Sequence, residues 1–364
     1  MRRSDASFRI AMKRLLLLCL IALPLFADDI PAPKLGERAD KQIADALPIC
    51  AGDAKVTRVG LQHKLPINLT GNVIRIESTR PACQGQWVAL TSTEGGFYMG
   101  TPWFLDGTEG TLEEKLKSFT WNAMKETWTP VVDRTKSREG FFPVTIAETT
   151  ERGKLPFQGV IDPAGTMFFF GHFIPLSSDI RSERPKLLEP FLDQSPTTGA
   201  AKPAVTVVEF SDFECPSCQR AAGYLKPILA KYGDQVRYIR YDLPLVQMHP
   251  WALAAAIAGR AIYHLKPEAF WVYKETIYSN QDKLSAFTID DFARGFAKDH
   301  DLDIAKYDAE VNSPALKDAL MNGAGTALSA DVRATPTYMV NGTFIDPGND
   351  GSALEQYVAS LLKK

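Results

Sequence analysis

The chain has 364 residues with 41 basic and 43 acidic side chains, which gives a formal net charge of −2 at pH 7. Charges of both signs are interspersed, so the sequence provides no basic face for nucleic acid or for an anionic membrane surface. An apolar fraction of 45% is ordinary for a globular protein, and this length is sufficient for two or three domains with sizeable cores.

The N-terminus has the pattern of a secretory signal peptide. Five basic residues lie within the first 14 positions, and an apolar run follows at positions 15–26. About a dozen apolar residues are too few for a comfortable membrane span. We therefore expect residues 1–27 to be a cleaved Sec-type signal that directs export, to the periplasm in a bacterium. The alternative is an uncleaved N-terminal membrane anchor.

Residues 28–192 predict an α+β domain. Its short apolar segments, separated by Gly, Pro and charged residues, predict strands. These segments are residues 73–76, 87–90, 96–100, 144–146 and 167–173, and helices are predicted at residues 112–119 and 183–192.

Two aromatic segments of this domain are similar to each other. Residues 96–105 read GFYMGTPWFL and residues 167–176 read MFFFGHFIPL, and an offset of about 70 aligns their central glycines. Two interpretations stay open: a duplicated unit, or two unrelated aromatic hairpins. Residues 159–179 also resemble the strand–turn–strand ending of the cystatin-like, DsbC-type dimerisation domain. That resemblance implies a homodimer interface or a surface for unfolded substrate at residues 167–173, whereas burial in a sheet core is the simpler alternative.

Residues 193–203 read DQSPTTGAAKP and have the composition of a linker. They separate the first domain from a second domain at residues 204–364.

The most specific motif of the chain is Cys215-Pro216-Ser217-Cys218, which follows a β-branched run at residues 205–211. Two cysteines one helical turn apart bring their sulfurs within bonding reach, and the start of a helix stabilises a thiolate on the first. A CxxC motif can also be half of a zinc site, but the five cysteines and five histidines of the chain supply no second ligand pair. We therefore expect a dithiol/disulfide pair, no metal and no separate cofactor.

The elements after this motif can also be predicted. A strand is expected at residues 236–241, and Asn341-Gly342 between two β-rich runs predicts a hairpin. Ser352 and Glu355 have the spacing of a capping box for a final helix.

This order of elements resembles the DsbA-type thiol–disulfide oxidoreductases of the thioredoxin superfamily. The resemblance rests on VVEFSDFxCPxC at residues 207–218, on His249-Pro250 before a helix, and on Thr335-Pro336-Thr337. It covers residues 203–364 and implies an α/β thioredoxin fold with a helical insertion at about 250–330.

The resemblance also implies roles for individual residues. Cys215 would be the attacking thiolate and Cys218 the buried resolving thiol, with a cis Thr335–Pro336 bond facing the disulfide. Glu209 matches a buried acid that accepts the proton of the resolving thiol, which requires a pKa raised by burial. The alternative for Glu209 is a glutamate at the end of a strand that reaches solvent.

Three further residues near the motif affect its chemistry. His249 can approach the site, but a histidine at a helix entry without a catalytic role is the favoured interpretation. Ser217 adds no positive charge at a position where strongly oxidising DsbA proteins carry a histidine, and Glu214 disfavours a thiolate on Cys215. We therefore expect a weaker oxidant than those proteins.

Removal of the signal leaves four cysteines. An even number in an exported protein permits two disulfides, a reversible one between Cys215 and Cys218 and a structural one between Cys50 and Cys83. The alternative for Cys50 and Cys83 is two unpaired thiols in buried positions.

The predicted function is disulfide exchange with unfolded or misoxidised exported proteins, with a redox partner protein that resets the cysteine pair. A DsbA-like oxidase is favoured, and a DsbC-like isomerase or reductase is the first alternative, favoured by the N-terminal domain and by Thr335. A copper(I)-binding thioredoxin-like chaperone is the non-enzymatic alternative. Such a site would want a nearby His or Met ligand and no cis-proline over the sulfurs, so Thr335-Pro336 argues against it.

Overall fold

The computed structural model describes residues 30–66, 68–80 and 83–363. The expected signal peptide, residues 1–27, lies outside the described residues. The chain divides into two compact units. The N-terminal unit takes the described residues up to Leu187 together with Gly325–Asp331, and the C-terminal unit takes Leu188–Ala324 and the residues from Val332 onward. No helix in the described part of the chain combines the length and the apolar character that a membrane crossing needs.

The N-terminal unit is α+β and is built on one antiparallel sheet. Its strands are β1 (Ala54–Gly60), β2 (Leu69–Ser78), β3 (Gly85–Ser92), β4 (Gly96–Phe104), β5 (Thr129–Val132), β6 (Phe142–Thr150), β7 (Gly153–Ile161), β8 (Met167–Phe170) and β9 (Phe173–Pro175). Helix α1 (Glu37–Ala46) precedes β1, α2 (Leu112–Met124) precedes β5, and α3 (Ile180–Leu192) follows β9. The strand order is β1-β2-β3-β4-β8-β7-β6-β5, and β9 pairs with β4.

Two successive groups of elements in this unit have the same order. Helix α1 precedes the antiparallel meander β1–β4, and α2 precedes the antiparallel meander β5–β8. The last strands of the two groups, β4 and β8, pair with each other. Their local structures differ, because β4 is continuous whereas its counterpart is interrupted at Gly171, whose φ of +136° suits glycine. A duplicated cystatin-like unit is therefore not confirmed.

The core of the N-terminal unit explains where the aromatic segments lie. Ala39, Ile43 and Ala46 recur at helical spacing on α1 and pack against buried side chains of β2, β3 and β4. Phe168 and Phe169 are fully buried, on a strand that pairs with β4 on one side and with β7 on the other. Burial in the sheet, the simpler of the alternatives for residues 167–173, holds for Met167, Phe168 and Phe169, whereas Phe170, His172 and Phe173 are half-buried.

The structural disulfide lies in the same unit. Cys50 and Cys83 are bonded, with 5.8 Å between their Cα atoms, as the cysteine count predicts. Because Cys50 precedes β1 and Cys83 follows β2, the bond ties together the two ends of the β1–β2 hairpin.

The C-terminal unit has a five-stranded sheet. Its strands are β10 (Thr197–Gly199), β11 (Val205–Ser211), β12 (Val236–Asp242), β13 (Thr337–Val340) and β14 (Thr343–Ile345), in the order β10-β12-β11-β13-β14. Strands β11 and β12 are parallel, and the other pairs are antiparallel. The residues interpreted as a linker, 193–203, thus contribute the edge strand β10.

Helices cover this sheet and form the segment between β12 and β13. They are α4 (Pro216–Ala221), α5 (Leu225–Tyr232), α6 (Ala252–Leu265), α7 (Pro267–Ser279), α8 (Ile289–Asp299), α9 (Ile304–Val311), α10 (Pro314–Ser329) and α11 (Ser352–Leu362). Apolar residues of α5 and α11 pack with those of β11, β12 and β13. Helices α6 to α9 pack together in a second cluster that includes Phe213, Cys215 and Cys218. The cysteine pair therefore lies between the end of β11 and the cluster formed by helices α6 to α9.

Some local predictions differ from the structure. The expected capping box is absent, because Gly351 is the N-cap of α11 and Ser352 is already its first helical residue. Instead, the Ser352 N–H donates to Asp350 Oδ1 at 3.0 Å. The helix that follows the Cys-Pro-Ser-Cys motif is interrupted at residues 222–224, between α4 and α5, three residues before Pro227. Proline cannot donate the hydrogen bond that would continue one helix through this point.

Candidate active site at the Cys-Pro-Ser-Cys turn

The turn between β11 and α4 positions the first cysteine. The Cys215 N–H donates to Asp212 O at 3.3 Å, and the Gln219 N–H donates to Cys215 O at 3.1 Å, which starts the helix. Cys215 is the N-cap of α4 and Pro216 is its first residue, where the missing N–H leaves no bond unmade. The residues of the motif thus suit their positions at the start of α4, and they place Cys215 and Cys218 one helical turn apart.

The two thiols are in the dithiol form and have different environments. The Cys215 side chain is 7% exposed, whereas Cys218 is fully buried. Hydrogen bonding from Cys218 lowers the pKa of Cys215 to about 6, assisted by the Thr335 side chain and opposed by burial. Burial, together with the neighbouring Cys215, raises the pKa of the Cys218 thiol. The first thiol is thus readily ionised, and the second holds its proton.

The segment before β13 faces the first cysteine. The Thr335–Pro336 peptide bond is cis, and Cys215 Sγ lies 3.4 Å from Thr335 O, to which the thiol donates. The structure therefore brings four of the predicted residues together: Cys215, Cys218, Thr335 and Pro336.

Glu209 lies on β11 and is buried, as the resemblance implies, but its electrostatics differ from the expectation. Burial would raise the pKa of this carboxyl, but Lys274, the Tyr238 hydroxyl and Arg240 outweigh burial and lower it. Lys274 Nζ is 3.5 Å from Glu209 Oε2, and Tyr238 Oη donates to the same oxygen at 2.5 Å. Glu209 is therefore a paired carboxylate at neutral pH. The raised pKa that a proton-accepting role was expected to need is absent.

A second group of charged side chains lies near Cys215 and consists of Asp212, His249 and Glu214. Asp212 is almost fully buried; its Oδ2 atom is 2.8 Å from His249 Nδ1, and its N–H donates to Cys218 Sγ at 3.5 Å. Burial raises the pKa of Glu214 to about 7, opposed by the Trp251 N–H, which donates to Glu214 Oε2 at 2.6 Å. The Ser217 side chain accepts a hydrogen bond from Arg220 at 2.7 Å.

Sequence reasoning missed two of these residues. Asp212 had a signal, since it stands between the strand and the CxxC motif, where an acidic side chain can cap the following N–H groups. Lys274 had none, because it lies 65 residues from Glu209 and nothing in the spacing along the chain brings the two together. Within the described residues, no group of three or more His, Cys, Asp or Glu side chains could hold a metal ion.

Comparisons with known proteins find similarity over about half of the chain. The family described as Thioredoxin matches residues 192–359, slightly less than half of the chain. The Na(+)/H(+) antiporter NhaA 1 of Mycolicibacterium vanbaalenii is 32% identical over 158 residues, which is 43% of this chain and 25% of that protein. The probable disulfide bond formation protein D of Bacillus cereus is 27% identical over 164 residues, 44% of this chain and 75% of that protein.

Among solved structures, oxidised BdbD from Bacillus subtilis is similar at 22% identity with a TM-score of 0.42, over 48% of this chain and 95% of that structure. The chain spans only about a quarter of the length of the first curated relatives it matches. The C-terminal half of this chain is therefore a thioredoxin-like domain, similar in sequence to the probable disulfide bond formation protein D of Bacillus cereus.

Proposed function

We propose that the protein exchanges disulfides with cysteines of other proteins through Cys215 and Cys218. The observation that carries the proposal is the contrast between the two sulfurs. A pKa of about 6 leaves most of the Cys215 thiol ionised at neutral pH, while the buried Cys218 keeps its proton. The thiolate is the nucleophile of disulfide exchange, so this difference defines an attacking and a resolving cysteine.

In the oxidising direction, a substrate thiolate attacks Sγ of Cys215 in the disulfide form. The Cys215–Cys218 bond breaks, and its electron pair remains on Cys218, which takes up a proton. A second substrate thiolate then attacks the substrate sulfur of the mixed disulfide, and Cys215 leaves as a thiolate. The substrate dithiol has lost two electrons and the cysteine pair has gained them, so a redox partner protein must remove them again.

The direction of flux is proposed to be oxidation. A thiolate stabilised on Cys215 stabilises the reduced pair, and a stabilised reduced form makes a stronger oxidant. The alternative is an isomerase or reductase of the DsbC type. The presence of an N-terminal unit favours it, because in DsbC-type isomerases a separate domain precedes the thioredoxin module. The copper(I) chaperone stays an alternative that a stoichiometric copper titration of the dithiol form tests.

Two assays separate the first two functions. Insulin reduction measures reductase activity, and refolding of reduced and of scrambled substrates measures oxidation and isomerisation. The wild-type protein in its disulfide form should oxidise a reduced substrate faster than the Cys215→Ser variant, which should be as slow as a protein-free control. Equal rates for the two proteins would refute the proposal.

We also propose that the protein is exported and acts in an oxidising compartment, the periplasm in a bacterium. The Cys50–Cys83 disulfide supports this location, since structural disulfides persist outside the reducing cytosol. Fractionation of cells that express the full chain tests it, with the size of the mature form distinguishing a cleaved signal from a retained anchor.

For the N-terminal unit we propose an internal repeat of two helix-plus-four-strand groups. The common order of elements and the pairing of β4 with β8 support it. A homodimer through this unit stays a prediction. Among the described strands, β8 is paired on both sides, so strand pairing between chains would have to use β1, β5 or β9. Light scattering of the mature protein measures the oligomeric state.

A further inference from the structure

Two loops are fixed to each other beside the cysteine pair. Asp212 Oδ2 accepts the Leu245 N–H at 2.8 Å, and Asp212 Oδ1 accepts the Glu214 N–H at 2.7 Å. The Trp251 N–H donates to Glu214 Oε2, which is a second hydrogen bond between the two loops. The segment after β12, residues 245–251, is thereby held against the turn that carries Cys215.

His249 is the side chain that this arrangement presents to the turn. Its side chain is 12% exposed, and its Nδ1 atom is 2.8 Å from the carboxylate of Asp212, which is fully buried. The same carboxylate accepts two backbone N–H groups, so its position, and with it the orientation of the imidazole, is fixed by three contacts. His249 is thereby held against the residue whose backbone N–H contacts Cys218 Sγ.

We propose that His249 is a positioning residue for thiol–disulfide exchange: its imidazolium, held by Asp212, balances the carboxylate charge beside Cys215 and supplies the cation that Ser217 cannot. The inference rests on the proposed function of the cysteine pair. The two residues between the cysteines, Pro216 and Ser217, carry no charge. The inference therefore assigns the balancing charge to a loop about 30 residues away in sequence.

The charges around the site give the direction of the effect. Asp212 opposes ionisation of Cys215, because a negative charge nearby disfavours a second one. Burial lowers the pKa of His249, but Asp212, Cys215 and Glu214 outweigh burial and raise it. Two other cations lie near this turn: Arg220 is engaged with the Ser217 hydroxyl at an exposed position, and Arg240 lies over the Phe213 ring and pairs with Asp242. His249 is thus the charge that offsets Asp212.

The proposal implies that the protonation of His249 depends on the redox state. When a substrate dithiol reduces the pair, two electrons pass to the sulfurs and a thiolate forms on Cys215. That negative charge favours the imidazolium, so the pKa of His249 is higher in the dithiol form than in the disulfide form. Reduction therefore takes up part of an additional proton from solvent at any pH between the two values.

The test uses the full-length mature protein and its His249→Gln variant. The thiolate absorbance of Cys215 is titrated, the equilibrium constant with glutathione is measured, and proton NMR follows the histidine ring signals in both redox states. We expect the variant to raise the pKa of Cys215 by about one unit and to make the pair roughly tenfold less oxidising. In the wild-type protein the His249 signal should titrate at higher pH after reduction.

Control variants separate this role from a structural one. His264 also pairs with a carboxylate, Glu310, at 3.0 Å but at an exposed position on α6, so His264→Gln should change neither quantity. In the double variant Asp212→Asn/His249→Gln both charges are removed, and the pKa of Cys215 should return toward the wild-type value.

Two results would overturn the inference: an unchanged pKa of Cys215 in His249→Gln, or a His249 titration that is the same in the two redox states. These results are distinct from failure of the proposed function, which would appear as a wild-type protein without exchange activity.

Discussion

The two sulfurs of one turn lie in two different electrostatic regions. On the Cys215 side, Glu214 and His249 are polar groups with some access to solvent around the buried Asp212, and the thiol has a pKa of about 6. On the Cys218 side, Glu209 and Lys274 form a fully buried pair, and the thiol has a raised pKa. One side favours a reactive anion and the other a stored proton, so the direction of attack follows from the surroundings of the cysteines and not from the motif alone.

The largest expected effect comes from removing one of the two sulfurs. In Cys218→Ser, Cys215 can still attack a disulfide substrate, but nothing resolves the product, so a covalent mixed disulfide should accumulate. The hydroxyl can keep the hydrogen bond from the Asp212 N–H. Non-reducing electrophoresis and mass spectrometry detect the adduct. The double variant Cys215→Ser/Cys218→Ser is the control, and an adduct forming equally there would contradict the assignment.

The next effect tests the buried side of the comparison. Lys274→Met leaves the Glu209 carboxylate buried without its cation, which should lower the free energy of unfolding by about 3–5 kcal/mol at neutral pH. The loss should shrink as the pH falls, since the unpaired carboxyl then takes up a proton. Urea unfolding at several pH values measures both.

Lys226→Met is the matched control for that variant. Lys226 is 2.7 Å from Glu275, but both side chains are more than half exposed, so the change should be below about 1 kcal/mol. Equal losses in Lys226→Met and Lys274→Met would show that burial of the pair does not matter.

A smaller effect tests the Cys215 side through the pH dependence of the free energy of unfolding. Burial raises the pKa of Glu214 to about 7, above its usual value near 4.5, so the folded state binds this proton more tightly than the unfolded state. This carboxyl therefore makes stability decrease as the pH rises from about 4.5 to 7, and Glu214→Gln should flatten that slope. Thermal unfolding across this range measures it. The exposed Glu310→Gln is the control and should leave the slope unchanged. A slope that persists in Glu214→Gln would assign the pH dependence of stability to another group.

The smallest effect concerns one hydrogen bond near the buried side. Tyr278 Oη and Ser211 Oγ are 3.0 Å apart and both residues are buried. Tyr278→Phe should lower the free energy of unfolding by about 1 kcal/mol. Ser211→Ala provides the second arm of a double-mutant cycle, and strictly additive losses would mean that the two hydroxyls do not interact.

Much of the C-terminal unit could be predicted because its signals are local. The hairpin predicted from Asn341-Gly342 is β13–β14, and the β-branched run before the CxxC motif is β11. Strand β10 was not predicted, since three residues within a polar stretch carry no periodicity. In the N-terminal unit, α1, β1, β5 and β7 were also missed. Strand β1 is mostly exposed and β5 is a short edge strand, so neither has a clear apolar alternation.

The sequence by itself determined the identity of the redox pair, because the spacing of Cys215 and Cys218 and the strand and helix around them are encoded within a few residues. Only the tertiary structure decided the charge balance. Lys274, His249 and Thr335 come from distant parts of the C-terminal unit, and each acts on a buried group over a few ångströms. Coulomb energies depend on those distances and on burial, and neither quantity can be read from spacing along the chain.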